Sequence, residues 1–322
     1  MATSVTVTTG ARLHFGPLAA AGSTGGKFGG VGMMVSAPGY VVSAQVATDD
    51  VCLGDEISRL RASEFVRRVR AATCGTLALP PVRIEFQETI PAHAGLGSGT
   101  QLGLAVARVL SELAGERDVP VETLARRAGR GLRSAIGMHG FVSGGFLVDG
   151  GRSGFGQLGT LVSRIEFPAG WRLILAVPRQ SQGLSGAEEQ QAFASQPPMP
   201  PSLTAELCRI ALMEWMPGLI AADFARVSGA MYEFGLRVGR FFQPVQGGVF
   251  AHPLMGRLAD EVRRRGFDGV AQTSWGPTTC VLCVDEPSAR ELMTDLAGDG
   301  RWGECVFQLT EPLNRGARVV RA

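Results

Sequence analysis

Pro91-Ala92-His93-Ala94-Gly95-Leu96-Gly97-Ser98-Gly99-Thr100-Gln101 joins two segments of opposite periodicity. Before it, from Pro81 to Glu88, Val82, Ile84 and Phe86 alternate with polar and charged residues, the period of a half-buried strand. After it, Leu102, Ala105, Val106, Val109, Leu110 and Leu113 recur at spacings of three and four, so a helix with one apolar face begins at about Gly99 and closes at Gly115. A glycine-rich turn from strand into helix leaves backbone N–H groups free to hold an anion. Its glycines let the backbone approach that anion, and Ser98 and Thr100 add hydroxyls that can also help hold a metal ion. The loop has no Gly-Lys-Ser or Gly-Lys-Thr, and no acidic residue follows on a strand about 20 residues on, so it is neither a Walker loop nor a dinucleotide fingerprint.

Working outward, Ser4 to Thr8 and Val41 to Val46 read as strands flanking a glycine-rich loop from Gly22 to Gly32, and Asp55 to Arg70 as an arginine-rich helix. Val121 to Gly129 is a short helix, followed by a glycine-punctuated stretch to Gly151. Strands at Ser163 to Phe167 and Arg172 to Val177 bracket the expected boundary between a phosphate-binding domain, 1–168, and a second domain, 169–322. After a proline-rich surface loop at 196–202, helices (203–215, 219–238, 254–265, 288–296) and strands (269–272, 279–284, 304–309) are interspersed. The pattern is α+β in two halves. Met213, Trp215 and Met216 read as core or subunit interface.

Composition narrows the function. The 322 residues carry 31 basic and 29 acidic side chains, a net charge of +2, without the strong basic excess of a nucleic-acid binder. No run of about 18 uncharged apolar residues occurs, and the start lacks a basic then apolar leader, so a cytoplasmic protein with no membrane partner is expected. Six scattered cysteines suit a reducing compartment. Cys280 and Cys283 have redox or zinc spacing, but on a strand residues three apart point to opposite faces. Lys27 is the only lysine; codon bias accounts for most of that, and a compact ammonium in a glycine loop also suits phosphate.

Pro91 followed by Gly95-Leu96-Gly97-Ser98 resembles the phosphate loop of the GHMP kinase superfamily. That resemblance implies an N-terminal domain like the second domain of ribosomal protein S5, a C-terminal ferredoxin-like domain and a cleft between them. Within the superfamily the chain is most similar to a family that is not a kinase, the beta-ribofuranosylaminobenzene 5'-phosphate synthases of methanopterin biosynthesis. Arg12-Leu13-His14-Phe15-Gly16 resembles its opening motif, and His93 to Gln101 its phosphate loop. Arg130-Gly131-Leu132-Arg133-Ser134-Ala135-Ile136-Gly137, with Phe141 and Gly144-Gly145-Phe146, resembles its central motif, and Ser274-Trp275-Gly276-Pro277-Thr278 its C-terminal one. Gly183-Leu184-Ser185-Gly186 with Glu188, Glu189 and Phe193 is a weaker likeness.

The resemblance implies condensation of phosphoribosyl pyrophosphate with 4-aminobenzoate or 4-hydroxybenzoate, loss of pyrophosphate and carbon dioxide, magnesium as cofactor, and a homodimer. On this reading Gly95, Leu96, Gly97, Ser98, Gly99, Thr100, Gln101, Arg130 and Lys27 hold the donor's phosphates. His14, His93 and Arg133 are the catalytic candidates, Arg12, Ser274 and Trp275 face the aromatic acid, and Glu188 or Glu189 is assigned to the metal. Two rivals stand beside it: an ATP-dependent small-molecule kinase, for which Asp149 is the candidate base, and a metabolite sensor without activity.

Overall fold

The computed structural model describes residues 3–19, 28–154, 156–179, 197–273 and 276–322. Two long antiparallel strands, Ser4–Pro17 (β1) and Gly30–Val46 (β2), are the spine of the first sheet. Val51–Cys52 (β3) runs parallel to Val82–Glu88 (β4), which pairs with the 41–46 end of β2. The 30–33 end of β2 pairs instead with Phe146–Asp149 (β5), and Leu161–Ile165 (β6) adds to β5. Helices Glu56–Thr73 (α1), Ser98–Leu113 (α2), Val121–Ala128 (α3) and Ile136–Ser143 (α4) accompany this sheet.

The second sheet is antiparallel. It contains Arg172–Pro178 (β7), Val270–Gln272 (β8), Thr279–Cys283 (β9) and Cys305–Thr310 (β10), in the order β10-β7-β9-β8. Its helices are Pro201–Arg209 (α5), Met216–Ile220 (α6), Phe224–Gln246 (α7), Pro253–Arg264 (α8) and Glu286–Gly298 (α9), with a π-helical segment, Ile210–Trp215, between α5 and α6. The α+β class and the two separate sheets agree with the sequence reading.

Three local features differ from that reading. β1 runs on past Thr8 through Arg12–Gly16, and β2 already begins at Gly30, inside the stretch whose glycines suggested a loop. Those glycines serve close packing: a Cβ on Gly30 would lie 2.8 Å from His14 Nε2, and one on Gly32 2.5 Å from the Leu13 carbonyl oxygen. Second, the glycine-punctuated stretch conceals α4 and β5. Third, the final strand, Arg318–Arg321 (β11), returns to the first sheet and pairs with β1 from Val5↔Arg321 to Thr8↔Arg318. As a domain boundary, 168/169 is a proposal, and the two halves share material across it. Trp215, fully buried in the second half, packs its ring 5.0 Å from Phe15 of β1 and 5.1 Å from Phe146 of β5. Met213, two residues before it, is exposed, and Met216 is half-buried.

Cys280 and Cys283 lie in hydrophobic clusters on opposite faces of the second sheet, and burial pushes both thiols up to about 12. Inert structural thiols result. Among the described residues no helix is long and apolar enough to cross a membrane.

Candidate active site

The site is assembled around the first turn of α2. Gly97 caps this helix in the left-handed conformation, φ +71°, and among the described residues no side chain caps its first N–H groups. Gly95, φ +78°, sits against Gly276: a Cβ on Gly95 would be 2.6 Å from the Gly276 Cα. Thr278 Oγ1 donates to the Ala94 carbonyl at 2.6 Å, so the phosphate loop is clasped by the C-terminal motif. From the other side, the Arg12 N–H donates to the Leu96 carbonyl at 3.0 Å, and a Cβ on Gly97 would lie 3.2 Å from Arg12 Nε. Distant segments of the sequence therefore meet at one helix N-terminus, where the helix dipole favours negative charge.

Gln101 holds this arrangement together from inside. It is fully buried, its Oε1 accepts from Thr9 Oγ1 at 2.6 Å, and its Nε2 donates to the Gly137 carbonyl at 2.8 Å. Its amide is thus bonded at both ends within the fold, and it positions the loop and the central motif relative to β1. Thr100 lies beside it, with its Cγ2 3.1 Å from where a Cβ on Gly137 would sit.

Arginines converge on the same turn. Arg61 of α1 donates from Nη2 to Ser98 Oγ at 3.2 Å. A Cβ on Gly99 would be 3.3 Å from a terminal nitrogen of Arg61 and 3.3 Å from one of Arg130. The Arg130 guanidinium lies over the Phe65 ring, 4.8 Å from its centroid. Burial first, then the charges of Arg68, Arg61 and Arg133, bring Arg130 down to about 10. Like charges packed this closely repel unless an anion lies among them. Arg61 and Arg68 were not singled out from the sequence, because α1 reads as a solvated arginine helix; their spacing of seven, two turns on one face, was the available signal.

Asp149 staples the central motif. It is fully buried, its Oδ2 accepts from the Ala135 N–H at 2.7 Å and its Oδ1 from the Gly151 N–H at 2.8 Å. Burial raises its carboxyl, the two backbone donors opposing that rise. One oxygen thus holds the segment that carries Arg130 and Arg133, and the other the turn that follows Asp149 itself.

His14 sits on β1, two residues from Arg12 and hence on the same face. It is buried, with no hydrogen-bond partner at either ring nitrogen among the described residues, and burial, then the Arg12 charge, hold it well below the usual histidine range. A neutral imidazole offers one N–H and one lone pair rather than a cation. His93 is exposed in the loop at φ +58°. His139, bonded to the Gly159 carbonyl at 3.0 Å, and His252, accepting at the start of α8, have structural bonds. Lys27, Glu188, Glu189, Ser274 and Trp275 lie outside the described residues.

The family described as GHMP kinases N terminal domain matches residues 61–146, from Arg61 through the loop to the start of β5. The beta-ribofuranosylphenol 5'-phosphate synthase of Methanothermobacter thermautotrophicus is 30% identical, with 100% of both chains covered. The chain belongs to the beta-ribofuranosylphenol 5'-phosphate synthase family. A second member, from Archaeoglobus fulgidus, is 30% identical over 97% of this chain and 98% of its own. The fold is also that of mevalonate-3-kinase from Thermoplasma acidophilum in its mevalonate-bound crystal structure, with a TM-score of 0.68 at 12% identity, covering 100% of this chain and 99% of that one. Synthase family and kinase thus share a scaffold, and the difference has to be sought in the side chains at the site.

Among the described residues no group of three or more histidines, cysteines, aspartates or glutamates is placed to hold a metal. The oxygen donors at the turn are Ser98 and Thr100, hydroxyls that suit a magnesium ion bound chiefly by phosphate oxygens and water.

Proposed function

We propose that the chain condenses phosphoribosyl pyrophosphate with a para-substituted benzoate, 4-hydroxybenzoate or 4-aminobenzoate, giving an aryl C-riboside 5'-phosphate, carbon dioxide and pyrophosphate. Membership of the beta-ribofuranosylphenol 5'-phosphate synthase family supports the reaction class. The relatives' product is named as a phenol, which is what 4-hydroxybenzoate yields when a ribosyl group replaces its carboxyl, so the hydroxy acid is the acceptor to try first.

The observation that carries the reading is the set of arginines at the α2 N-terminus, with no free carboxylate base beside them among the described residues. Asp149, the base a kinase reading requires, is bonded through both oxygens to backbone and has no exposed surface. A reaction whose main demand is to bind a polyanion and stabilise its departure suits such a site. Loss of pyrophosphate leaves a cationic ribose centre, the carboxyl-bearing ring carbon attacks it, and the C–CO2 bond electrons restore the aromatic ring. No proton needs to leave the ring. Ser98, Gly99 and Thr100 with Arg130 and Arg133 hold phosphate. His14, held neutral beside Arg12, donates an N–H to the substrate carboxylate or the leaving group, and Arg12 pairs with the carboxylate. His93, exposed in the loop, is the second candidate donor to the departing pyrophosphate or the substrate carboxylate, and Lys27, Ser274 and Trp275 complete the roles implied by the resemblance, as do Glu188 or Glu189 for magnesium. A homodimer is part of the same proposal.

The test is release of labelled carbon dioxide from carboxyl-labelled 4-hydroxybenzoate and 4-aminobenzoate, with phosphoribosyl pyrophosphate and magnesium, beside a sample given ATP in place of the donor. Release that depends on the ribosyl donor is the expected result and ranks the two acids. No release from either acid overturns the reading. Ser98→Ala and Thr100→Val should then each raise the donor KM by about tenfold.

A further inference from the structure

Helix α1 carries none of the short sequence motifs quoted for the resemblance, yet it presents Arg61, Phe65 and Arg68 at spacings of four and three, on one face. That face rests on α2 because Gly103 has no side chain: a Cβ there would lie 2.9 Å from Phe65 Cε1. The close approach brings Arg61 level with the first turn of α2. Its Nη2 reaches Ser98 Oγ, and Arg61 and Arg130 stand equally close to the bare Gly99. Arg68 follows behind, with Nη1 3.3 Å from where a Cβ on Gly129 would sit, next to Arg130.

Charge balance at this place is incomplete. Among the described residues neither Arg61 nor Arg130 forms an ion pair, and Arg130 Nε is buried with no partner. Glu64, the acidic residue nearest in sequence, is exposed and paired to Arg68. A phosphomonoester carries less charge than pyrophosphate, which gains a further unit of negative charge as its bond to the ribose breaks. Two guanidinium groups across a glycine, above open helix N–H groups, match the more highly charged of the two.

We propose that Arg61, acting with Arg130 across Gly99, binds the pyrophosphate end of the ribosyl donor and leaves the 5'-phosphate to other residues. The proposal rests on the donor identified above and fixes its orientation. The ribose C1–O bond breaks with its electron pair passing to the pyrophosphate oxygen, and that developing charge falls beside the Arg61 and Arg130 N–H groups. No proton transfer is required of either arginine.

The experiment is calorimetric titration of the full chain with inorganic pyrophosphate and, separately, with ribose 5-phosphate, for wild type, Arg61→Gln and Arg61→Lys. Melting curves without ligand check that each variant is folded. Arg61→Gln should weaken pyrophosphate binding by about tenfold or more while changing ribose 5-phosphate affinity by less than about twofold; Arg61→Lys, which keeps charge but loses the planar fork, should fall between. If Arg61→Gln does not fold, the same selective loss in Arg61→Lys carries the result. Wild-type pyrophosphate affinity in both variants, no pyrophosphate binding by wild type, or an equal loss for both ligands overturns the assignment. Pyrophosphate binding is independent of carbon dioxide release, so failure of the synthase reading is seen separately.

Discussion

Gly95 and Gly276 meet backbone to backbone: a Cβ on Gly276 would lie 2.2 Å from the Gly95 Cα, closer than any side chain can be placed. This contact, with the Thr278 bond to Ala94, fixes the phosphate loop against the second sheet's connecting turn. The anion site proposed at α2 therefore depends on a residue far along the chain.

Alanine at either glycine should disturb the loop. Gly95→Ala adds the strain of φ +78° to the clash, and Gly276→Ala the clash alone. Each should lower kcat/KM for phosphoribosyl pyrophosphate by about a hundredfold. Steady-state kinetics of the two variants checks this, and near wild-type values would show that the loop is placed by other contacts.

His14 sets a pH dependence of stability. Burial, then the Arg12 charge, lower its folded pKa below the ordinary 6.5, so below 6.5 the unfolded chain takes up a proton that the folded protein does not. Its contribution is fully present above 6.5 and is lost as pH falls through the window beneath. His14→Leu should flatten this acid limb by up to about 1.4 kcal/mol per pH unit. Urea unfolding between about pH 5 and 7 is the measurement, and parallel curves for variant and wild type would sink the claim.

Asp149→Ala strips acceptors from two buried N–H groups and should destabilise by about 2–4 kcal/mol. Asp149→Asn keeps one oxygen and should retain measurable carbon dioxide release. Complete loss of turnover in a stably folded Asp149→Asn protein would restore this residue as a candidate base.

Gln101→Leu keeps the volume but leaves the Thr9 hydroxyl and the Gly137 carbonyl without their partner. A loss of about 2–3 kcal/mol is expected by denaturant titration, with a raised donor KM as the central motif shifts. An unchanged midpoint would mean that water takes over both bonds.

Part of the candidate site was legible in the sequence, because strand, glycine loop and apolar helix face are local signals from which Ser98 and Gly99 follow, whereas Arg130 was visible only through its helical spacing with Arg133 and the resemblance of the central motif. Gln101 was visible as part of the loop motif, but its inward bonds to Thr9 and Gly137 depend on register between elements that no local pattern encodes. Arg61 was hidden for the opposite reason, since an exposed arginine helix and one turned toward a phosphate site have the same periodicity. Glycines misled at Gly30 and Gly32, where they mark close strand packing rather than a loop, and the same misreading concealed Phe146–Asp149. The pairing of Arg318–Arg321 with β1 rests on contacts between the two ends of the chain, which spacing cannot reveal.

Trp215 gives the molecule its unfolding behaviour. With its ring wedged between Phe15 and Phe146, and Phe234 5.7 Å away, neither half can lose its structure without exposing aromatic surface of the other. Calorimetry should record one cooperative transition rather than two, and a fragment cut at residue 168 should show the loose tertiary packing and dye-binding surface of a molten globule.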